Sequence, residues 1–487
     1  MLPLMYKRWL ILGVGLFACG TKPPAATVAT QQAQPQLAPP VSAPSTPAAA
    51  TDGNWYGVLD VGEAKLRLQL TINSKDAKLV SLDQGGVELP IVLQLDKAIV
   101  SFTAAAVRAD FKGVRDGDTI VGNFSQGGAT YPLTFTRGST PPVAAPAKVR
   151  PQDPTDTPYD IQEVAFPGGA SDVVLAGTIT RPRGTAPVAA VVLISGSGPQ
   201  DRNEEVMGHR PFLVLADALM RAGVMVLRFD DRGVAKSTGK FETATSNDFA
   251  LDVWAAVQFL QSRSDVKHDR IGLAGHSEGG LIAPMVAVAH REVAFVVMIA
   301  GPAISGDKII VDQVARISNA GGRPADAGAR LEIEFTKLGV EIAKKPTSDD
   351  AARKELTEVF TKRIASLPPD DAKLATASLN DMITPLVSPW MRNFLRYDPA
   401  PTLSKVKQPL LAVWGSHDTQ VAPEINLPVA KRALKQNARA TLQVLPGLNH
   451  LLQTSTTGSP SEYANIDETI APAALSLITA WVVKQSK

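Results

Sequence analysis

Across residues 55–136 apolar and polar positions alternate with a period of two. Leu66, Leu68, Leu70 and Ile72 interleave with Lys65, Arg67, Gln69 and Thr71, the pattern of a strand with one buried face and one wet face. Similar runs at residues 89–95 and 131–135, with turns such as "DQGG" and "SQGG" between runs, predict a small antiparallel β barrel or sandwich. Beyond Tyr159 the rhythm changes. Continuous apolar runs, "DIQEVAF", "LAGTIT", "VAAVVLI", "VMVLRF", "RIGLAG", "AFVVMIAG", "PLLAVWG" and "ATLQVLP", read as eight strands. Helical stretches at residues 212–222, 249–261 and 281–290 fall between them, so the pattern predicts an α/β domain with a mostly parallel sheet covered on both faces. Residues 304–401 break the alternation. There "ADAGARLEIEFTKLGVEIAKK" and "DAARKELTEVFTKRIASL" are amphipathic helices with no strand between them, which predicts a helical insertion.

At 487 residues with 45% hydrophobic side chains the chain has material for two or three packed domains. Lys and Arg number 49 against 47 Asp and Glu, and no basic stripe marks a nucleic-acid partner. Residues 1–18 read as an export signal: Lys7 and Arg8 precede an apolar stretch too short to span a bilayer comfortably, and Ala18 is a small residue before Cys19. The segment Leu16-Phe17-Ala18-Cys19-Gly20 resembles the bacterial lipoprotein box, whose cysteine becomes the lipidated N-terminus. Cys19 is the only cysteine, so it has no disulfide partner within the chain. An ordinary cleaved signal peptide or an uncleaved anchor are the alternatives, and all three put the protein outside the cytoplasm. Residues 19–51, mostly Ala, Pro, Thr, Gln and Ser, read as a tether. The expected order is then a β domain at 52–138, a Pro-rich linker at 139–158, and a catalytic α/β domain at 159–303 and 402–487. Residues 304–401 form its helical lid.

The sequence "IGLAGHSEGG" sets a serine between glycines at the end of an apolar strand and the start of a helix. G-x-S-x-G alone is common, but strand, sharp turn and helix together are what a nucleophile elbow demands. Ser277 is the candidate nucleophile. A serine hydroxyl needs a base to take its proton and a carboxylate to orient that base, in the chain order Ser, Asp, His. Asp418 in "GSHDTQVAP" and His450 in "LPGLNHLLQ" follow successive strands and fit that order. Of the six histidines, His209 and His268 precede the elbow, His290 ends a helix, and His276 adjoins Ser277 with its side chain directed elsewhere. His417 is the rival base and Glu424 the fallback acid. Backbone N–H groups of Ser197 and Glu278 are the candidate oxyanion donors, with Gly196 and Gly198 letting the backbone approach a substrate. Asp230, Asp231 and Arg232 in "RFDDRGVAKSTG" read as substrate contacts or as a buried ion pair beside the elbow. "SPWMRNFLRYDP" reads equally as pocket lining or as lid core.

Taken together, "SGSGPQDRNE", "LRFDDRGVAKSTG", "GHSEGG", "SHD" and "LNH" resemble the bacterial α/β-hydrolase group of EstD-type serine esterases, with dienelactone hydrolases and prolyl-oligopeptidase-like peptidases as more distant relatives. The resemblance implies the eight-stranded α/β-hydrolase fold and esterase activity on short acyl esters. It carries the triad to Ser277, Asp418 and His450. One departure is Ser195-Gly196 at the start of the oxyanion loop, where many α/β-hydrolases have His-Gly. The expected protein is a lipid-tethered carboxylesterase with a small-molecule ester substrate and no metal or organic cofactor. A peptidase using the same triad, and an inactive envelope scaffold, are the other readings.

Overall fold

The computed structural model describes residues 51–60, 65–73, 76–82, 87–104, 109–126, 129–138, 150–184, 186–320 and 327–487. The expectations for the leader, for Cys19 and for all of the tether but Thr51 lie outside them; Thr51 is buried, and its carbonyl accepts from Trp55 Nε1. The chain divides into two compact units, to which residues 51–138 and 150–487 belong respectively.

The first unit is one antiparallel sheet of nine strands: β1 (Gly53–Asp60), β2 (Lys65–Asn73), β3 (Asp76–Ser81), β4 (Val87–Pro90), β5 (Val92–Asp96), β6 (Ile99–Ala104), β7 (Ala109–Asp116), β8 (Thr119–Gln126) and β9 (Ala129–Arg137). β1 pairs with both β2 and β9, so first and last strands meet and the sheet is barrel-like rather than a sandwich. Period-two burial follows from this: Leu68, Leu70 and Ile72 join Trp55, Phe102, Phe111 and Phe135 in a single core. Residues 89–95, read from the sequence as one strand, belong to β4 and β5, at opposite ends of the sheet. Pro90 offers no N–H to continue a ladder, and the chain changes partner there.

The second unit contains all eight strands expected from the apolar runs: β10 (Asp160–Pro167), β11 (Val174–Arg181), β12 (Val188–Ile194), β13 (Met225–Phe229), β14 (Val266–His276), β15 (Val293–Ile299), β16 (Leu410–Gly415) and β17 (Ala440–Leu445). Their order in the sheet is β10-β11-β13-β12-β14-β15-β16-β17. β10–β11 and β11–β13 pair antiparallel, and every other pairing is parallel. This is the mixed, mostly parallel sheet of an α/β-hydrolase.

The helices are α1 (Pro211–Arg221), α2 (Ser246–Gln261) and α3 (Glu278–Ala289), then α4 (Gly306–Asn319), α5 (Ala327–Ala343), α6 (Asp349–Ile364), α7 (Pro369–Ala377), α8 (Leu379–Ile383), α9 (Pro389–Arg396) and α10 (Ala400–Leu403), then α11 (Pro423–Ala433) and α12 (Pro472–Gln485). Val191, Leu193, Leu411 and Val413 pack with α1 and α12 on one face of the sheet. Ala190, Val192, Ile194, Leu410 and Ala412 pack with α2 and α3 on the other. Covering both faces is why these strands are continuously apolar. The seven helices between β15 and β16 extend the second of these cores, with Phe335 edge-on to Phe360 at 4.9 Å. Among the described residues, no helix is long and apolar enough to cross a membrane.

The end of the expected linker belongs to this unit. Arg150 is buried and donates to the carbonyls of Met207, Ala464 and Ile466, while Gln152 bonds the backbone of Thr469 and Ile470. Asp153 pairs with Arg210. Polar side chains in a Pro-rich stretch read as linker, yet here they satisfy carbonyls and a cation of distant loops.

Candidate active site

β14 ends at His276 and α3 begins at Glu278, leaving Ser277 alone in the turn at φ 51° and ψ −116°. The glycines around it leave no room for a side chain. A Cβ on Gly275 would lie 2.0 Å from the Gly279 carbonyl oxygen, and one on Gly279 would lie 2.1 Å from that of Ile194 in β12. Strand and helix approach this closely only without those carbons, and the approach carries Ser277 to the carboxyl ends of the central strands. Ser277 N–H donates to the Ile299 carbonyl at 2.8 Å, fixing the turn to β15.

Asp418 follows β16 and His450 follows β17. Both are buried, and His450 Nδ1 lies 2.9 Å from Asp418 Oδ2. The other oxygen, Oδ1, accepts from the N–H groups of Gln420 and Val421, each at 2.8 Å. A proton on Nδ1 held by the carboxylate leaves the Nε2 lone pair for another partner. Asn449 steadies the base loop: its Oδ1 accepts from Leu451 and Gln453 N–H and its Nδ2 donates to Gln453 Oε1. Ser277 and His450 line one cavity together with Gly196, Ser197 and Glu278. Asp418 stands behind His450.

The rival groups are engaged elsewhere. His417 Nδ1 bonds the Ser455 carbonyl, His209 lies between Thr469 Oγ1 and the Tyr463 carbonyl, and His290 stacks on Trp254. His268 bonds the Arg263 carbonyl, and Glu424 is paired with Arg316 at 3.3 Å. Asp230 takes a two-pronged contact from Arg202, and Asp252 takes one from Arg232. Asp231 accepts from Ser195 Oγ at 2.7 Å and from Gln200 N–H at 3.0 Å. Burial pushes the Asp231 carboxyl well above its ordinary value. All three residues of "DDR" thus fasten loops beside the elbow.

In the loop after β12, Gly196 N–H is already spent: it donates to Glu204 Oε1 at 2.6 Å. Among the described residues, the N–H groups of Ser197 and Glu278 have no protein acceptor. The Glu278 side chain is buried and accepts from Ser246 Oγ at 2.6 Å and from Trp390 Nε1 at 2.8 Å. Burial pushes its carboxyl up. Trp390 stacks on Phe394 with ring centroids 5.3 Å apart, and both line the cavity with Ile309 and Ile310. The "SPWMRNFLRYDP" segment therefore supplies pocket wall, and its tryptophan is bonded to the residue after Ser277.

Sequence reasoning passed over Glu204. This buried carboxylate also faces His276 Nδ1 at 2.9 Å, while His276 Nε2 faces the His450 carbonyl at 3.1 Å. The only signal was its membership of "SGSGPQDRNE", where Asp201 looks no different, nor does Glu205 just after it. Among the described residues, no cluster of three His, Cys, Asp or Glu is arranged to hold a metal.

Residues 169–443, more than half of the chain, match the family model described as X-Pro dipeptidyl-peptidase (S15 family). The chain belongs to the S15 family. That S15 match spans Ser277 and Asp418 and stops short of His450. The chain is also 24% identical over 446 residues to Esterase EstD of Thermotoga maritima, covering 89% of this chain and 93% of the esterase. Similar solved structures include the Pyrococcus furiosus esterase Pf2001, at 17% identity and TM-score 0.41, covering 70% of this chain and 97% of that one. Another is Est1E of Butyrivibrio proteoclasticus with ferulic acid bound, at 18% identity and TM-score 0.38, covering 66% of this chain and 96% of that one. The S15 family and the EstD relative together support serine hydrolase activity.

Proposed function

We propose that this serine hydrolase cleaves small neutral carboxylic esters, with Ser277 as nucleophile, His450 as base and Asp418 as the carboxylate that orients it. The observation that carries the reading is the buried His450–Asp418 pair beside a cavity into which the turn at Ser277 opens. His450 Nε2 takes the Ser277 proton as Oγ attacks the ester carbonyl. Asp418 stabilises the imidazolium, and the Ser197 and Glu278 N–H groups receive the oxyanion. His450 returns the proton to the departing alcohol, and water, activated in the same way, releases the acid from the acyl-serine. The helical insertion acts as a lid whose Ile309, Ile310, Trp390 and Phe394 form the apolar wall.

The S15 match favours a second reading, release of an N-terminal X-Pro dipeptide from a peptide by the same residues. Such a substrate presents an ammonium group that needs an anion. The carboxylates lining the cavity, Glu204 and Glu278, are only 4% and 3% exposed and are bonded to protein donors, which favours the neutral ester.

The test is hydrolysis of p-nitrophenyl esters of graded acyl length beside X-Pro p-nitroanilides. Ester turnover is expected, lost by at least about 10⁴-fold in Ser277→Ala. Anilide cleavage without ester cleavage supports the peptidase, and full activity in Ser277→Ala removes both readings. Export through residues 1–18 and lipidation at Cys19 are part of the same proposal, checked by fatty-acid labelling that Cys19→Ala abolishes.

A further inference from the structure

The contacts of His276 join two loops that the proposed reaction needs in register. Its Nε2 lies 3.1 Å from the carbonyl oxygen of His450, and a carbonyl oxygen only accepts, so Nε2 carries a proton. Its Nδ1 lies 2.9 Å from Glu204 Oε1. That oxygen already accepts Gly196 N–H at 2.6 Å, so it faces Nδ1 as an acceptor. An acceptor oxygen opposite Nδ1 calls for a second proton there. Both ring nitrogens are then donors.

We propose that Glu204 and His276 form a positioning pair, in which a doubly protonated His276 ties the Gly196–Ser197 loop, through Glu204, to the backbone of the proposed base His450. The inference rests on reading His450 as base and Ser197 N–H as oxyanion donor. The pair touches no reacting atom. It fixes the distance between the group that moves the proton and the loop that receives the oxyanion charge.

The surroundings favour this charge state. Burial alone would lower the proton affinity of His276, but the Glu204 charge and hydrogen bond, then the His450 carbonyl and the charge of Asp418, hold the imidazolium above the ordinary histidine range. The His450 ring lies 4.8 Å away and is itself held by Asp418. Asp231, beyond Glu204, and Glu278, beyond Ser277, are the remaining carboxyls of this group, and burial pushes both up. Glu204 is the carboxyl in contact, its Oε1 facing both Gly196 N–H and His276 Nδ1. When pH rises through the raised pKa, one proton remains for two acceptors. A neutral His276 either loses the His450 carbonyl or turns a bare Nδ1 against Glu204, and the tie between the loops is gone.

Two measurements test this. In ¹⁵N-histidine-labelled Ser277→Ala protein, the imidazole resonances of His276 are expected to show both nitrogens protonated at pH 6 and to keep the second proton to higher pH than the same histidine in the urea-unfolded chain. In Glu204→Gln, an oxygen remains for Gly196 N–H but the charge does not. The titration of His276 is then expected to move to lower pH, the basic limb of kcat to move with it, and kcat to fall roughly 10- to 100-fold with a smaller effect on KM. A singly protonated His276 at pH 6 overturns the proposal, as does a basic limb that Glu204→Gln leaves in place. If Glu204→Gln fails to fold, the resonances of the Ser277→Ala protein decide alone. A doubly protonated His276 in a chain that hydrolyses no ester counts against the hydrolase reading and for the pair.

Discussion

The carboxyl of Glu278 follows Ser277 in the chain but faces away from water, bonded to Ser246 and Trp390. Burial raises its pKa, so the folded chain keeps that proton to higher pH than the unfolded chain does. The stability it contributes is complete below the unfolded carboxyl pKa and is lost as pH climbs through the folded value. Glu278→Gln keeps an acceptor for both donors and removes the titration. Urea unfolding between pH 4 and 8 should therefore show a shallower loss of stability in the variant than in the parent, and equal slopes would refute the assignment. Asp231 has the same sign, so the slope is not expected to vanish. The same comparison shows what a sequence makes visible. Ser277, Asp418 and His450 could be singled out because the proposed chemistry demands their residue types and their order after particular strands, and the fold does bring His450 against Asp418. Glu204 could not, because "DRNEE" holds three acids and only the fold brings one of them beneath His276.

Among the elements, the eight strands of the second unit were legible because burial on both faces leaves uninterrupted apolar runs. The attachment of Arg150 and Asp153 was not, since its cause is tertiary contact and nothing local announces it. Helix α9 supplies two aromatic side chains to the cavity wall. Its Trp390 and Phe394 stack along the cavity, and Trp390 also bonds Glu278, so this helix is coupled both to the pocket wall and to the start of α3. Trp390→Ala opens the wall and frees Glu278 of one donor. The expected outcome is a shift of p-nitrophenyl ester preference toward longer acyl chains, with a stability loss by urea unfolding below the ~3–5 kcal/mol of a fully buried tryptophan, since Trp390 is half-buried. An unchanged chain-length profile would separate Trp390 from the acyl group.

At the scale of the molecule, the two units have separate cores, and Trp55 is fully buried in the first. Trp55→Ala should cost that unit about 3–5 kcal/mol, read as a shifted unfolding transition, while ester turnover by the second unit stays at the parental level. Lost turnover would tie the β unit to catalysis. The turn at Ser277 has a different bearing on the whole. A non-glycine residue held at φ 51° and ψ −116° costs on the order of 1–3 kcal/mol, against a typical folding free energy of about 5–15 kcal/mol. Glycine at 277 would relax that backbone, so a chain selected only to fold would gain by drifting to it. On the proposed reading, the serine that stands there instead is a mark of selection for reactivity over durability.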